Sequence, residues 1–183
     1  VMEQTYDTMT PSIKSTLGSE INTTANATSP TNETDAVTGW ADGGGSPVQT
    51  SDSSVVDTST YSLKMVTSAN EDWLTANWTV SNATLYKATI RWKTTAENAP
   101  IWRYAWGTSS GDGTYGGENL NGSTAWSTST LYFVTSSTSL YLYLQEYGAD
   151  SNILTLYIDY ISLKPVTNDL VGYWALDSSE DAL

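Results

Sequence analysis

The stretch from Ser139 to Val166, SLYLYLQEYGADSNILTLYIDYISLKPV, predicts two adjacent β-strands, and the rest of the fold is worked out from them. From Leu140 to Gln145, leucine alternates with tyrosine or glutamine, the period-two pattern of a strand with one dry face. The turn-forming run from Gly148 to Asn152 then predicts an antiparallel hairpin. In the second strand the apolar positions change parity after Ile158, which predicts a β-bulge beside Asp159.

The composition excludes several classes of function. The 183 residues include no cysteine and no histidine, which removes disulfides, thiol-based zinc sites and the commonest general base. Seven Lys and Arg stand against twenty Asp and Glu, and the net charge of -13 opposes binding to nucleic acid or to anionic membranes. No apolar run approaches the roughly 20 residues of a membrane-spanning helix. We therefore expect neither nucleic acid nor membrane as a partner.

Aromatic residues are abundant and of two main kinds. Eight Trp and twelve Tyr accompany a single Phe in a background rich in Ser, Thr, Asn and Gly. Rings with one polar end suit wet interfaces and binding faces, although the commoner place for any one of them is the core of a β-sheet protein.

Shorter alternating patterns predict further strands, and no segment carries a sustained helical period. These strands are expected near residues 20–24, 48–51, 61–67, 73–80, 85–93, 101–108 and 131–135. The run 109–123, SSGDGTYGGENLNGS, is expected to be a binding loop or an insertion. The predicted fold is all-β, an antiparallel β-sandwich of jelly-roll type over residues 19–165, with an N-terminal arm (1–18) and a C-terminal segment (166–183). The predicted core residues are Leu140, Leu142, Leu144, Leu156, Ile158, Ile90 and Leu131.

Two strands supply the candidate residues for sugar recognition. The hairpin places Tyr141, Tyr143 and Gln145 opposite its leucines, on what we expect to be the exposed face. In the strand starting at residue 101, one face carries Trp102 and Tyr104 and the other carries Arg103. The pattern does not decide which of these faces is outward, so all three residues are candidates. Aromatic stacking together with amide and guanidinium hydrogen bonds is the chemistry that a sugar requires.

Six motifs together resemble the carbohydrate-binding modules attached to xylanases and glucanases, which have a galactose-binding-like jelly roll. The motifs are GSEINTT (18–24), TGW (38–40), YSLKM (61–65), LYKATIRWK (85–93), STAWSTSTLYFVT (123–135) and LYIDYISLKPV (156–166). The resemblance covers residues 18–165 and implies a non-catalytic sugar-binding module. It also implies one structural calcium ion, held by the last-strand Asp159 with a first-strand acid and backbone carbonyls. The run NTTANAT (22–28) lacks the usual acid, which leaves Glu20 as the first-strand candidate.

The final residues 169–183, DLVGYWALDSSEDAL, resemble the opening of a concanavalin-like or laminin-G-like domain. A lone strand there would need a partner, so we expect the protein to continue beyond Leu183 with that domain. Such a tandem resembles modular bacteriophage fibre and decoration proteins, and also secreted bacterial polysaccharide-binding proteins. The expected location is the virion surface or the extracellular space, and the expected assembly is a homo-oligomer among neighbouring protein chains.

Three functions follow from these observations. The first is glycan adhesion by a virion or cell-surface module. The second is a structural capsid decoration or fibre segment whose arm, residues 1–18, packs on another chain rather than on its own sandwich. The third is glycoside hydrolysis, which needs two carboxylates across a cleft. The acids Glu71, Asp72, Glu118 and Glu146 show no pairing in their spacing, so we expect no catalysis.

Overall fold

The computed structural model describes residues 13–67, 72–95, 101–120, 122–147 and 155–170, and these form strands and loops. The strands are β1 (Ile13–Leu17), β2 (Trp40–Gly44), β3 (Val48–Asp52), β4 (Ser62–Val66), β5 (Trp73–Thr79), β6 (Leu85–Thr94), β7 (Ile101–Gly107), β8 (Gly116–Leu120), β9 (Ser127–Val134), β10 (Ser139–Tyr147) and β11 (Thr155–Leu170). The described residues contain no helix, and hence none long and apolar enough to cross a membrane. The all-β class predicted from the sequence is confirmed.

The strands form two antiparallel sheets that face each other. The six-stranded sheet has the order β3-β4-β11-β6-β9, with β1 also paired to β11, and the five-stranded sheet has the order β2-β5-β10-β7-β8. From β4 to β11 the chain changes sheet at every connection except the one between β7 and β8. This alternation gives the antiparallel sandwich of jelly-roll type that the sequence predicts.

The core lies between the two sheets and is filled by alternate residues of each strand. In β6 every second residue from Tyr86 to Thr94 is buried. Each fully buried aliphatic side chain contributes about 1.5–3 kcal/mol of transfer free energy. The predicted core residues are confirmed, with Leu131 only partly buried against the core: Leu140, Leu142, Leu144, Leu156, Ile158 and Ile90 are at most 1% exposed.

A row of aromatic rings joins the two sheets across the core. The ring of Trp106 in β7 lies 5.6 Å from Trp78 in its own sheet and 5.8 Å from Phe133 in the opposite sheet, measured between centroids. Phe133 in turn stacks on Tyr86 at 6.4 Å. Five of the eight tryptophans are buried, namely Trp40, Trp78, Trp92, Trp102 and Trp106. Most of the tryptophan content therefore fills the core rather than a binding face.

The predicted hairpin between β10 and β11 is wrong, because the two strands belong to different sheets. Both strands turn apolar residues toward one shared core, and that alternation is the same whether consecutive strands pair or cross from sheet to sheet. The predicted bulge is confirmed, since the register of β11 against β6 shifts between Ile158 and Tyr160.

The N-terminal arm and the C-terminal segment also need correction. Residues 13–17 form β1 and pair with residues 166–170 of β11, so both stretches belong to the sandwich. Leu17 in this ladder is 49% exposed, so β1 is held by its backbone hydrogen bonds to β11 rather than by a buried apolar face. For this reason the sequence of β1 shows no strand pattern. The prediction that this part of the arm does not pack on its own sandwich is wrong. Residues 1–12 and 171–183, with the lectin-like opening, lie outside the described residues.

Two other segments differ from the prediction. Residues 20–24 run beside β11 without forming a strand, held by the hydrogen bond from the Ile21 N–H to the Leu163 carbonyl at 2.8 Å. The predicted loop 109–123 contains strand β8, which pairs with β7. A Cβ at Gly117 would lie only 2.0 Å from the carbonyl oxygen of Tyr104. The close approach of these strands requires glycine, and glycine hides a strand from pattern-based prediction.

Candidate functional site

The outer face of the five-stranded sheet carries most of the residues that the sequence proposes for sugar recognition. Residues paired across an antiparallel sheet share a face, so the register places these side chains in rows opposite the core. We call the surface formed by these rows the polar face. One row is Trp73, Gln145, Arg103 and Asn119, the next is Thr75, Tyr143, Ala105 and Gly117, and a third is Asn77, Tyr141 and Gly107.

Arg103 and Gln145 form the centre of the polar face. The Arg103 Nε donates a hydrogen bond of 2.7 Å to the Gln145 Oε1. The Arg103 guanidinium also lies over the Tyr143 ring, with its Cζ 5.6 Å from the ring centroid. Arg103 and Gln145 are both half-buried. The two neighbours restrict the guanidinium to one orientation, which is what a pre-organised hydrogen-bonding group needs.

Tyr143 and Tyr141 play different parts on this face. Tyr143 is 8% exposed, which corrects the expectation that it is partly open. It is buried beneath Arg103 and not in the core between the sheets, and its ring meets the edge of Trp73 at 6.1 Å. Tyr141 is half-buried, more exposed than Tyr143.

Trp73 is a further member of the polar face, and it is absent from the residues predicted from the sequence. Three glycines allow the backbone to lie directly on its indole ring, and a Cβ at Gly43, Gly44 or Gly111 would lie 2.3, 2.2 or 3.2 Å from that ring. The available signal was the parity of β5, because Trp73 is out of phase with the core residues beginning at Leu74. A tryptophan out of phase with the core belongs to the outer face.

One wall of the polar face is a turn built around Asp112. Its carboxylate accepts hydrogen bonds from the Thr108 N–H at 2.8 Å and the Thr114 N–H at 2.9 Å, and from both threonine hydroxyls. The Thr114 hydroxyl is the largest cause that lowers the pKa of Asp112 to about 2. This turn, strand β8, Arg103 and Tyr143 line a cavity of about 340 Å³ that is open to solvent. Residues of the 109–123 segment therefore line the candidate site. This position is compatible with the binding loop that was one of the two predictions for this segment.

The prediction that Trp102 and Tyr104 contact a sugar is wrong, because both side chains point into the core. They are 0% and 1% exposed and lie between the sheets, so neither ring is open to a ligand from solvent. The alternate residue Arg103 decides the parity, since an arginine is rarely buried in an apolar core. Of the six predicted residues, the structure brings four together on the polar face: Tyr141, Tyr143, Gln145 and Arg103.

The predicted calcium ligand Asp159 is fully occupied by protein donors. Its carboxylate accepts the Asp57 N–H at 2.8 Å, the Thr58 N–H at 3.1 Å, the Thr58 hydroxyl at 2.9 Å and a short bond from the Ser59 hydroxyl. Burial on its own raises the pKa of Asp159, but these four hydrogen bonds outweigh it and the pKa lies below its ordinary value.

The second predicted ligand, Glu20, belongs to a different network. It accepts hydrogen bonds from the N–H groups of Asn22 at 3.0 Å and Leu163 at 2.7 Å, and from the Ser162 hydroxyl at 2.6 Å. The buried Asn22 amide donates to the carbonyls of Thr28 at 3.1 Å and Ile161 at 2.8 Å. Side-chain and backbone donors already occupy the oxygens that would face a cation, so Glu20 and Asp159 do not fit a calcium ion. Within the described ranges, no group of three or more acidic side chains could hold a metal.

Another buried acid, Glu146, lies on the inner side of β10 and takes no part in the polar face. It is 1% exposed. Burial is the largest effect on the pKa of Glu146 and raises it, a hydrogen bond from the Thr67 hydroxyl partly offsets this, and the neighbouring charge of Asp72 raises the pKa further.

Comparison with known proteins identifies the fold. No family model matches the chain, and no curated protein matches it. Among solved structures it is similar to a family 16 carbohydrate-binding module, with 18% identity, 78% of this chain and 99% of that chain covered, and a TM-score of 0.56. It is also similar to the CBM22-1 xylan-binding domain of Xyn10C from Paenibacillus barcinonensis, with 17% identity, 81% and 95% covered, and a TM-score of 0.54.

A third similar structure is the enzymatically active domain of tailspike protein 4 from bacteriophage CBA120. The identity is 10%, the TM-score is 0.58, and the match covers 79% of this chain but 21% of that one. At these identities the three comparisons establish a shared jelly-roll fold and no more.

Proposed function

We propose that the polar face of the five-stranded sheet binds a glycan and that the chain is a non-catalytic carbohydrate-binding module. The observation that carries the proposal is the Arg103–Gln145 pair, joined at 2.7 Å and held over Tyr143 at the edge of an open cavity. Sugars present flat apolar ring faces and rows of hydroxyl groups. A fixed guanidinium and amide beside accessible aromatic rings complement both.

Each residue of the polar face has a distinct role in this proposal. The half-buried ring of Tyr141 stacks against a sugar ring, while Arg103 donates hydrogen bonds to sugar hydroxyls. Gln145 and the exposed Asn119 add amide donors and acceptors on either side of Arg103 in the same row. Tyr143 supports the guanidinium from below. The flat sheet with a shallow cavity favours an extended polysaccharide over a small enclosed ligand.

The carboxylates favour binding over hydrolysis. Among the described residues, Glu118 is the one carboxylate that lines the cavity. Glycoside hydrolysis ordinarily needs two carboxyl groups facing each other across the scissile bond. The polar face supplies orientation and hydrogen bonds without that pair.

The setting proposed for this module is adhesion to glycans on a virion or a cell surface. The similar solved structures support it with a xylan-binding domain and a bacteriophage tailspike. A purely structural decoration role has less support, because residues 13–17 of the proposed docking arm pair with β11 of their own domain.

Binding to soluble neutral polysaccharides tests the proposal. The full chain is run in affinity gels containing xylan, β-glucan, galactan or mannan, and the retarding polysaccharide is then titrated calorimetrically. We expect Arg103→Ala and Tyr141→Ala each to weaken binding at least tenfold, since central aromatic and arginine contacts dominate such interfaces. The matched control is Tyr132→Ala, which removes a tyrosine that is 56% exposed on the opposite sheet. Equal loss in the control, or no retardation by any polysaccharide, would overturn the proposal.

A further inference from the structure

The basic residues of this acidic chain are concentrated on the outer face of the six-stranded sheet. Five of the seven Lys and Arg lie there, each alternating with core residues of its strand, while the whole chain has a net charge of -13. We call this surface the basic face. Its members are Lys64, Lys87, Arg91, Lys93 and Lys164.

Two of the five cations are neutralised by acids and two others lie against aromatic rings. Arg91 pairs with Asp57 at 2.7 Å, and Lys64 lies 3.8 Å from an oxygen of Asp52. The Lys87 ammonium lies 5.9 Å from the centroid of the Tyr132 ring, and the Lys93 ammonium lies 5.6 Å from the centroid of the Trp126 ring. These contacts leave most of the ammonium hydration shell available for a ligand.

Lys87 and Lys164 are directly opposite each other in the register of β6 and β11. Like charges at such a position destabilise a sheet. In the described part of the chain, no acid forms an ion pair with either lysine. A pair of facing cations that forms no ion pair with a described acid, in a chain with an excess of thirteen negative charges, is suited to an anionic ligand.

A cavity of about 430 Å³ opens beside these two lysines. It is lined by the hydroxyl-bearing residues Thr89, Tyr160 and Ser162. Pro30 and Thr31, from the loop between β1 and β2, line it as well. Glu20 also lines the cavity. Both of its oxygens accept hydrogen bonds from the protein, from Asn22 and Leu163 to one oxygen and Ser162 to the other.

We infer that the basic face holds a second binding site, centred on Lys87 and Lys164, for a carboxylate-bearing polysaccharide such as a polyuronate. The lysines receive the carboxylate, and the hydroxyl-bearing residues of the cavity receive the sugar hydroxyls. The net negative charge does not prevent this contact, because charges beyond about 8–10 Å are screened at physiological salt. The site uses none of the residues of the polar face and lies on the opposite sheet, so it goes beyond the proposed function.

Calorimetric titration of the full chain with polygalacturonate tests the inference. We expect binding that weakens with added salt, and a loss of at least tenfold in the double variant Lys87→Gln/Lys164→Gln. The control is Lys64→Gln/Lys93→Gln, which removes the same charge from the same face and should stay within twofold of the original. Thermal unfolding confirms folding, and removal of the like-charge pair is expected to leave the melting temperature unchanged or raised.

The remaining outcomes separate this site from the polar face and from general attraction of polyanions. Arg103→Ala should leave polygalacturonate binding intact, and a loss there would place the acidic glycan on the polar face and overturn the inference. Equal loss in the two double variants, or equally tight binding of polyadenylate, would show unspecific charge attraction. Absence of polygalacturonate binding would also overturn the inference. It would not affect the proposal that Arg103 binds a neutral glycan, which is tested by the separate titration with neutral polysaccharides.

Discussion

Asp159 and Glu146 are carboxylates of nearly equal burial in opposite sheets, and they have opposite environments. Asp159 is 0% exposed and accepts four hydrogen bonds from residues 57–59. Glu146 is 1% exposed, and among the described residues the Thr67 hydroxyl is the one donor that favours its ionised form. The pKa of Asp159 is lowered and that of Glu146 is raised. The energetic effect of a buried acid is therefore set by the donors around it rather than by burial alone.

The largest expected effect comes from removing the satisfied acid. Asp159→Ala leaves the Asp57 and Thr58 N–H groups and two hydroxyls without their acceptor, and should lower the free energy of unfolding by about 3 kcal/mol. Urea unfolding followed by tryptophan fluorescence measures this change. Asp159→Asn is the matched control, because one acceptor oxygen remains and a smaller loss is expected. An Ala variant as stable as the original chain would show that the network does not stabilise the fold.

Replacing the acid with fewer donors should act in the opposite direction and by less. Glu146→Gln keeps the shape of the side chain but removes a buried charge that the Thr67 hydroxyl only partly stabilises. We expect the free energy of unfolding at pH 8 to rise by about 1 kcal/mol. The same urea titration applies. A clear loss of stability would mean that the carboxylate has a stabilising partner, and the contrast with Asp159 would then fail.

The smallest effect is a difference in pH dependence between the two acids. The folded-state pKa of Glu146 lies above the ordinary 4.5, so its stabilising contribution is present below pH 4.5 and is lost as the pH rises through the folded value. Melting temperatures of the original chain and Glu146→Gln should converge near pH 4 and separate toward pH 8. For Asp159, whose pKa is below the ordinary 3.8, the contribution is present above that value and is lost as the pH falls through the folded pKa. If the melting temperatures of Glu146→Gln and of the original chain changed in parallel with pH, the raised pKa of Glu146 would be contradicted.

The sequence predicted individual strands better than their arrangement. Alternation located β6 to within one residue, and the change of parity located the bulge beside Asp159. Alternation reports only which residues face the core, and both sheets share that core. It therefore could not place β10 and β11 in different sheets. It also could not reveal β1, which is held by its backbone, or β8, which begins with two glycines.

The same limit explains which site residues were predicted. Tyr141, Tyr143 and Gln145 were placed correctly on an outer face because three leucines fix the parity of β10. In β7 both faces contain apolar residues, and Trp102 fills the core while Arg103 lies outside. The parity of β5 places Trp73 on the outer face, but the glycines that pack on its ring are distant in sequence, so no local pattern reports their contact with it. Glu20 and Asp159 were predicted as cation ligands, but the donors around each became visible only in three dimensions.

The ladder between β1 and β11 places Ile13 directly opposite Leu170. The start of β1 and the end of β11 therefore lie side by side at one end of the ladder. A pulling force applied between them opens the ladder from its end, one residue pair after another, instead of shearing all pairs together. Opening of this kind needs less force than shearing, while β11 stays paired with β6 from Leu156 to Pro165. Under tension this short ladder would lengthen first and protect the jelly roll from mechanical unfolding.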